Sequence, residues 1–512
     1  MMRVLKFLLR GSLALIALLI VAILTRGYWL PQRFAVNIPL QALIGKAAGA
    51  VPDGSVDRLQ LPPGFTISRF ATGLNNARFM RVTSAGDVIV SQPREGKVTL
   101  LFNDANHDGA SDGSLSLLTD LDRPHGLALH DGYLYVAEMT AVGRVRFDGA
   151  TRKITGIFER VITGLPSGGN HWTRTIGFGP DGFLYVSVGS SCNVCVESDH
   201  RRAAILRYDP ATWQGRIFAG GLRNSVGFAW RQPNAMSGED PELIATDNGR
   251  DLLGDDFPPC ELNRVVDGGF YGWPYANGHQ VKDPDFGAGH EAEIAASLSP
   301  IHDFSAHNAP LGITFLDADS TPPEYRGAAL VALHGSWNRS KKDGYKVVSL
   351  HWGADGRITQ KDFLTGFLND DDVTGRPVDI AQGTDGAIFV SDDFSGSVFR
   401  VAVGTRTISE PATKVAAEVA PTPATATAEV APKILARGQK VWNDNLCDTC
   451  HNPATMAQAA PKTTKVLEKL PTKYDVAKLV VYLKAPQPPM PLFELSDQER
   501  LDLAAYVLNR FR

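Results

Sequence analysis

The chain has little of what usually reveals a protein's class. Its 512 residues hold only five cysteines, too few for a disulfide-framework protein. Neither sign of charge dominates, with 51 Lys plus Arg against 55 Asp plus Glu and a formal net charge of −4. Without a basic excess, no nucleic-acid partner is expected. A 44% apolar and 21% charged composition excludes a chain disordered throughout. Helical periodicity is scarce ahead of the C-terminal tail. That part also lacks a Rossmann glycine pattern opening a helix, and it lacks a P-loop. At roughly 150 residues per domain the length suggests two to four domains, although propellers and barrels run longer as one unit.

What is present starts with a compartment signal. Arg3, Lys6 and Arg10 precede an uninterrupted apolar run from Leu13 to Leu24. Residues 1–30 therefore read as a signal peptide or a membrane anchor. No small-x-small cleavage site follows, which favours the anchor. The positive start keeps the N-terminus inside and sends the rest outside the cytoplasm. The expected location is the periplasm or the extracytoplasmic face of the inner membrane.

A second boundary lies at residues 406–432. The stretch EPATKVAAEVAPTPATATAEVAP contains no aromatic residue, and its prolines break helix. It reads as a linker between a large body, residues 50–405, and a tail, residues 433–512.

The body repeats one unit, a turn and a short apolar strand followed by a Gly-marked turn and a second strand. Instances begin at Gly86, Asp131, Asp181, Pro241, Ala328 and Asp385. Six units of β-formers predict an all-β body, a six-bladed β-propeller, with a β-sandwich pair or a β-helix as the alternative. The long stretch between Gly249 and Pro310 is expected as loops on one face. The 49 glycines and 32 prolines suit such a turn-rich chain.

The strongest local motif is Cys447-Asp448-Thr449-Cys450-His451, the C-x-x-C-H attachment signature of haem c. Two thiols on one turn can add to the two haem vinyl groups, and the adjacent histidine then reaches the iron. Met490, held between prolines in PPMP, is the expected sixth ligand, a thioether that raises haem potential. Ser496 and Glu499 form a capping box ahead of an amphipathic helix. From Ile434 onward the tail resembles a class I cytochrome c. That resemblance implies a small α-helical domain and electron transfer.

An electron carrier needs a source of electrons. The body resembles the pyrroloquinoline quinone (PQQ)-dependent soluble sugar dehydrogenases, including proteins described as sorbosone dehydrogenases. The stretches that carry the likeness are GLPSGGNHWTRTIGFGPDGFLYVSVG, GGLRNSVGFAW, DGGFYGWPY and GRPVDIAQGTDGAIFVSDD. The resemblance implies a six-bladed propeller that binds PQQ and Ca2+ on its top face and oxidises aldoses or related carbohydrates. His171 then corresponds to the general base, a role suited to a side chain whose pKa lies near working pH. Arg223 and Asn224 match residues that grip the quinone, with Arg223 stabilising developing negative charge. Asn248 and Gly249 match the backbone oxygens that hold calcium, and Arg250 replaces a proline beside them. Arg376 and Asp393 match groups near the cofactor carboxylates. His307, Trp337, Asn338 and Arg339 replace a tyrosine and lysine region and are expected at cofactor or substrate. Val226 and Val378 depart from the family's polar contacts.

Two further features stay open. Cys192, Cys195 and Cys260 allow one disulfide, with Cys192–Cys195 the local choice, or a three-thiol zinc site. Asp104, Asn106, Asp108 and Asp112 have the spacing of the start of a calcium loop, or of a plain polar turn. The combined expectation is a quinohaemoprotein. It oxidises a sugar-like alcohol, aldose or aldehyde hydrate. Electrons pass to its own haem and then to a soluble cytochrome, copper protein or membrane oxidase. A calcium-dependent propeller lactonase and a non-enzymatic carbohydrate-binding propeller are the alternatives.

Overall fold

A computed structural model describes residues 56–232, 240–404 and 413–414. In the tail it describes 432–445, 447, 451, 467, 470, 474–484, 493, 495 and 497–511. The apolar run Leu13–Leu24, most of the linker, Cys450, Met490 and Ser496 lie outside the described residues. Among the described residues no helix is long and apolar enough to cross a membrane.

The body is a six-bladed β-propeller. Blade 1 comprises Met80–Val82, Val88–Gln92, Lys97–Leu101 and Ser114–Leu118, hydrogen-bonded in chain order. Blades 2 and 3 repeat this from Leu127–His130 and Arg174–Phe178, and blades 4, 5 and 6 from Phe228–Arg231, Pro310–Phe315 and Pro377–Gln382. These six first strands touch one another in a closed ring, blade 6 meeting blade 1, so they surround the axis. Blade 6 takes its fourth strand from the other end of the body. Phe65–Thr72 runs antiparallel to Ser397–Val403, with Phe65 opposite Val403. This pairing ties the two ends of the body together and closes the ring.

The sequence pattern follows from position in the blade. Second strands pack on both faces, so Val88–Gln92, Leu184–Val188, Ala329–Leu333 and Ile388–Asp392 are buried at every residue. Each repeat seen in the sequence contains one of these second strands. Outermost strands meet water, and Ile358–Leu364 reads ITQKDFL with four exposed residues. Asp-Gly turns lead into several second strands. Asp181 Oδ1 accepts from Phe183 N at 3.2 Å, and Gly182 takes φ +78°, a left-handed conformation that favours glycine.

Near the axis the first strands approach closely. A Cβ on Gly126 would lie 2.6 Å from Arg174 O in the next blade, and one on Gly227 would lie 2.0 Å from Leu311 O. The stretch between Gly249 and Pro310 belongs to blade 4. It supplies Cys260–Val265 and His302–Phe304 to the sheet, and between them a hairpin and helix α1, Glu291–Ala296.

The tail is a small α-helical, cytochrome c-like domain. Its described helices are α2 (Pro432–Asp444), α3 (Val476–Lys484) and α4 (Asp497–Arg510). Helices α2 and α4 cross at Gly438, where a Cβ would lie 2.1 Å from Asp502 O. Arg437 braces the crossing with two hydrogen bonds to Asp502, at 2.6 and 2.9 Å. Val441, Trp442, Leu479, Leu483, Leu503 and Leu508 fill the core between the three helices.

Candidate functional site

First strands start, and second strands end, on the same side of each antiparallel blade. The segments there converge on a cavity of about 700 Å³. Segments leading into first strands supply Asn76, Arg78, Arg123, His171, Trp172, Arg223, Asn224, His307 and Arg376. Segments leaving second strands supply Asn248, Gly249, Asp251, His334, Trp337, Asp393 and Phe394. Glu499 of α4 joins the wall. Val226 and Leu311 line the cavity too. Behind them Val378, which like Val226 departs from the polar pattern expected, packs with Phe79 in a buried apolar cluster.

His171 has a defined tautomer. Its Nδ1 lies 2.9 Å from Ser190 O and 2.9 Å from Ser190 Oγ. A carbonyl oxygen only accepts, so Nδ1 carries the proton and Nε2 keeps a lone pair. Burial, reinforced by the charge of Arg223, holds the imidazole pKa well below its ordinary value. Ser190 Oγ in turn donates to Cys192 O at 2.7 Å. Arg174, fully buried, donates to His171 O and Thr173 O at 3.1 and 2.7 Å, and to Pro166 O at 2.5 Å. His171 therefore stands on a backbone pinned by Arg174.

Arg223 is fully engaged by protein. Its Nε donates to Asn193 O, Nη1 to Asn248 O and Gly249 O, and Nη2 to Asn193 Oδ1 and Asp251 Oδ2, at 2.8 to 3.2 Å. All five guanidinium donors are thus taken. Arg223 acts on the cavity through its charge and by holding the 248–251 segment. Asn193 lies inside the Cys192–Cys195 disulfide, which the structure forms, leaving Cys260 unpaired in the cavity wall. Burial pushes the Cys260 thiol up to about 11, so it stays protonated.

Opposite stands a cluster around Asp393, two members of which, Arg78 and His334, the sequence reading missed. Asp393 accepts from Arg78 Nη1 at 2.8 Å and pairs with His334 Nε2 at 2.9 Å. Burial opposes the charge of Asp393, but His334, Arg78 and Arg376 together hold its carboxyl well below the usual range. His334 is lowered to about 4, by burial first and then by Arg376. Arg78 and His334 carry no sequence motif. Only their repeated place at the cavity end of blade strands could have marked them.

The structure does not bring every expected residue to the cavity. Arg250 turns to Asp283 and Asp285, at 2.7 to 2.9 Å. Asn338 accepts from Leu252 N at 2.7 Å, and Arg339 reaches Asp255 O and Ala306 O. Local acceptors draw the two arginines away from the cavity, a backbone donor holds Asn338, and Asn338 and Arg339 brace the 252–256 loop. Asp104, Asn106, Asp108 and Asp112 accept from backbone N–H groups of their own loop, as a self-capped turn does.

The fit of each expected group follows from these contacts. Five guanidinium groups against three carboxylates give the cavity a cationic lining, and Trp172, Trp337 and Phe394 offer flat apolar faces. A planar tricarboxylate such as PQQ fits that chemistry. Asn248 Oδ1 is buried there without a partner, open to a ligand donor. The oxygens expected for calcium, Asn248 O and Gly249 O, both accept from Arg223 Nη1, at 3.1 and 2.9 Å, and the guanidinium charge there opposes a divalent cation beside it. Among the described residues the one group of three metal-binding side chains is Cys192, Cys195 and Glu197, and two of these share the disulfide. In the tail, His451 N donates to Cys447 O at 3.0 Å, one helical turn apart. The Trp442 ring lies 5.9 Å from that of His451, and its buried indole N–H has no partner. Haem c fits there.

Comparison with known proteins agrees with this geometry. The TrAA12-like family profile matches residues 59–263 and 283–403, and the cytochrome c profile matches 435–510. A Trichoderma reesei protein of Carbohydrate-Active Enzymes Family AA12 shares the fold with a TM-score of 0.59 and 23% identity, covering 68% of this chain and 97% of that one. The PQQ domain of Coprinopsis cinerea pyranose dehydrogenase shares it with a TM-score of 0.56 and 24% identity, covering 67% and 96%. By sequence, an uncharacterized protein of Borreliella burgdorferi is 38% identical over 223 residues, 43% of this chain and 56% of that one. The PQQ-dependent pyranose dehydrogenase of Coprinopsis cinerea is 27% identical over 414 residues, 67% of this chain and 54% of that one. The chain spans about half the length of the curated relatives it matches.

Proposed function

Because the chain belongs to the TrAA12-like family, we propose that its propeller is a PQQ-dependent dehydrogenase for a sugar-like alcohol, aldose or aldehyde hydrate, and that its electrons leave through the tail's haem c. The observation that carries the reading is His171. Its neutral ring keeps Nε2 unprotonated, in a cationic cavity of a chain that also bears a haem attachment motif.

PQQ, when bound, supplies a quinone able to take two electrons from the alcohol carbon. The chain supplies the rest. His171 Nε2 accepts the hydroxyl proton, and Ser190 O steadies the resulting imidazolium through Nδ1–H. Arg78, Arg223 and Arg376 offset the negative charge of the cofactor and of the reaction. Trp172 and Trp337 flank the space above with flat faces. Phe79, Val226, Leu311 and Val378 pack as a buried apolar cluster, of which Val226 and Leu311 reach the cavity wall. No step is derived through calcium. The external acceptor is a soluble cytochrome, copper protein or membrane oxidase, outside the cytoplasm.

The test uses the full-length, haem-loaded protein with PQQ, with and without calcium, and a panel of sugars and polyols. Reduction of the c-haem absorbance band that needs PQQ and one substrate class is expected. His171→Asn should slow it by at least about 10²-fold while PQQ still binds. Absence of PQQ binding would sink the reading and turn attention to lactone hydrolysis.

A further inference from the structure

The cavity rim carries a second arrangement that the proposed chemistry does not use. The turn at residues 120–123 displays Asp120, Asp122 and Arg123 in sequence. Asp120 has φ +59° and Arg123 has φ +50°, left-handed conformations that L residues rarely adopt. Asp122 is fixed further by its own N–H, which donates to Glu138 Oε1 at 2.7 Å. The turn thus presents three charges in a set order.

The tail meets that order with the opposite one. Lys440 Nζ of α2 lies 3.1 Å from Asp122 Oδ1, and Glu499 Oε1 of α4 lies 3.4 Å from Arg123 Nη2. Arg437, also on α2, is raised above its ordinary pKa mainly by Asp502, with Asp120 contributing. Helices α2 and α4 are locked together at Gly438, so the tail's charges move as one body. Two negative charges and one positive on the turn face two positive and one negative on the tail, which favours one register and penalises others. The guanidinium of Arg123 also lies 5.7 Å from the Trp172 ring, beside His171.

We propose that the 120–123 turn is the docking seat of the chain's own cytochrome-like domain, held by an ionic clasp that salt releases. The clasp is small and partly exposed. Pairs of this kind are individually weak and salt-screened, so the seat suits reversible docking, with the linker maintaining a high local concentration. Docking there places Glu499 in the cavity wall. The purpose of the seat rests on the dehydrogenase reading, but its existence does not.

The experiment compares full-length protein with Lys440→Glu, Asp122→Lys and the double swap, by carbodiimide cross-linking and peptide mass spectrometry. The parent should give a Lys440–Asp122 cross-link at low salt, reduced about fivefold to tenfold in 0.5 M salt. Each single change should abolish the link, and the swap should restore it between the exchanged residues. Lys440→Glu leaves the propeller untouched, so its result does not depend on how Asp122→Lys folds. Absence of the parental link, or of restoration in the swap, overturns the docking seat. Haem reduction by substrate is followed in the same samples. Cross-links as expected with no haem reduction would leave the seat standing and refute the dehydrogenase reading. Haem reduction without the cross-link would do the reverse.

Discussion

Arg174 offers a test of the architecture under the candidate base. Replacing it with methionine keeps much of the buried volume and removes the guanidinium. Burial, followed by the charge of Arg202, lowers the Arg174 pKa to about 9 from 12.5, so the side chain is still charged at neutral pH. Its charge is met by three charge-assisted hydrogen bonds, to Pro166 O, His171 O and Thr173 O. Each is worth roughly 1.5–3 kcal/mol net of desolvation. Methionine forfeits all three and leaves buried carbonyls without this donor, so the variant should be less stable by at least about 2 kcal/mol. Urea unfolding followed by tryptophan fluorescence measures the midpoint shift at constant m-value. The 166–173 loop should also become more open to proteolysis, because the carbonyls of Pro166 and His171 lose their partner. A variant as stable as the parent, with an equally protected loop, would refute the idea that Arg174 holds the loop.

Four other outcomes are expected. Gly126→Ala sets a Cβ 2.6 Å from Arg174 O and 2.7 Å from Ile176 N, both backbone, and should cost about 2–3 kcal/mol. Gly220→Ala meets nothing within 4 Å and should change little in the same unfolding assay. The folded-state pKa of His334, about 4, lies below its unfolded value near 6.5, so its stabilisation is complete above pH 6.5 and is lost as pH falls towards 4. The loss by pH 4.5 is on the order of 2–3 kcal/mol, and His334→Gln should flatten that part of the stability–pH curve. Asn193→Ala removes the acceptor of Arg223 Nη2 and Asp251 N, at 3.0 and 2.8 Å, and should destabilise by about 2–3 kcal/mol. Isothermal titration of that variant with PQQ should show weakened binding, and unchanged affinity would argue against a role for the 248–251 segment in the cofactor site.

Blade count was legible because second strands are buried on both faces. Burial on both faces favours strands made mostly of apolar β-formers, and six such strands, each behind a turn, stand out in the chain. Outer strands such as Ile358–Leu364 are too polar to announce themselves. The closing strand Phe65–Thr72 pairs with residues more than 300 positions away, a register that no local pattern encodes. The haem motif was legible because its chemistry needs fixed spacing within one turn of helix. The fold of the tail follows from helical periodicity, as α4 shows.

The sequence by itself determined which groups could carry chemistry: His171, the arginines near it and the C-x-x-C-H motif. Only the tertiary structure decided what those groups do. It engaged all five donors of Arg223 with protein, turned Arg250 to Asp283, and drew Arg339 to the 255–256 loop. It also assembled Arg78, His334 and Asp393 from three blades. The physical reason is that local spacing sets identity and secondary structure. The partners of a long, charged side chain are chosen by whichever acceptors the ring closure brings within about 3 Å, and those come from distant parts of the chain.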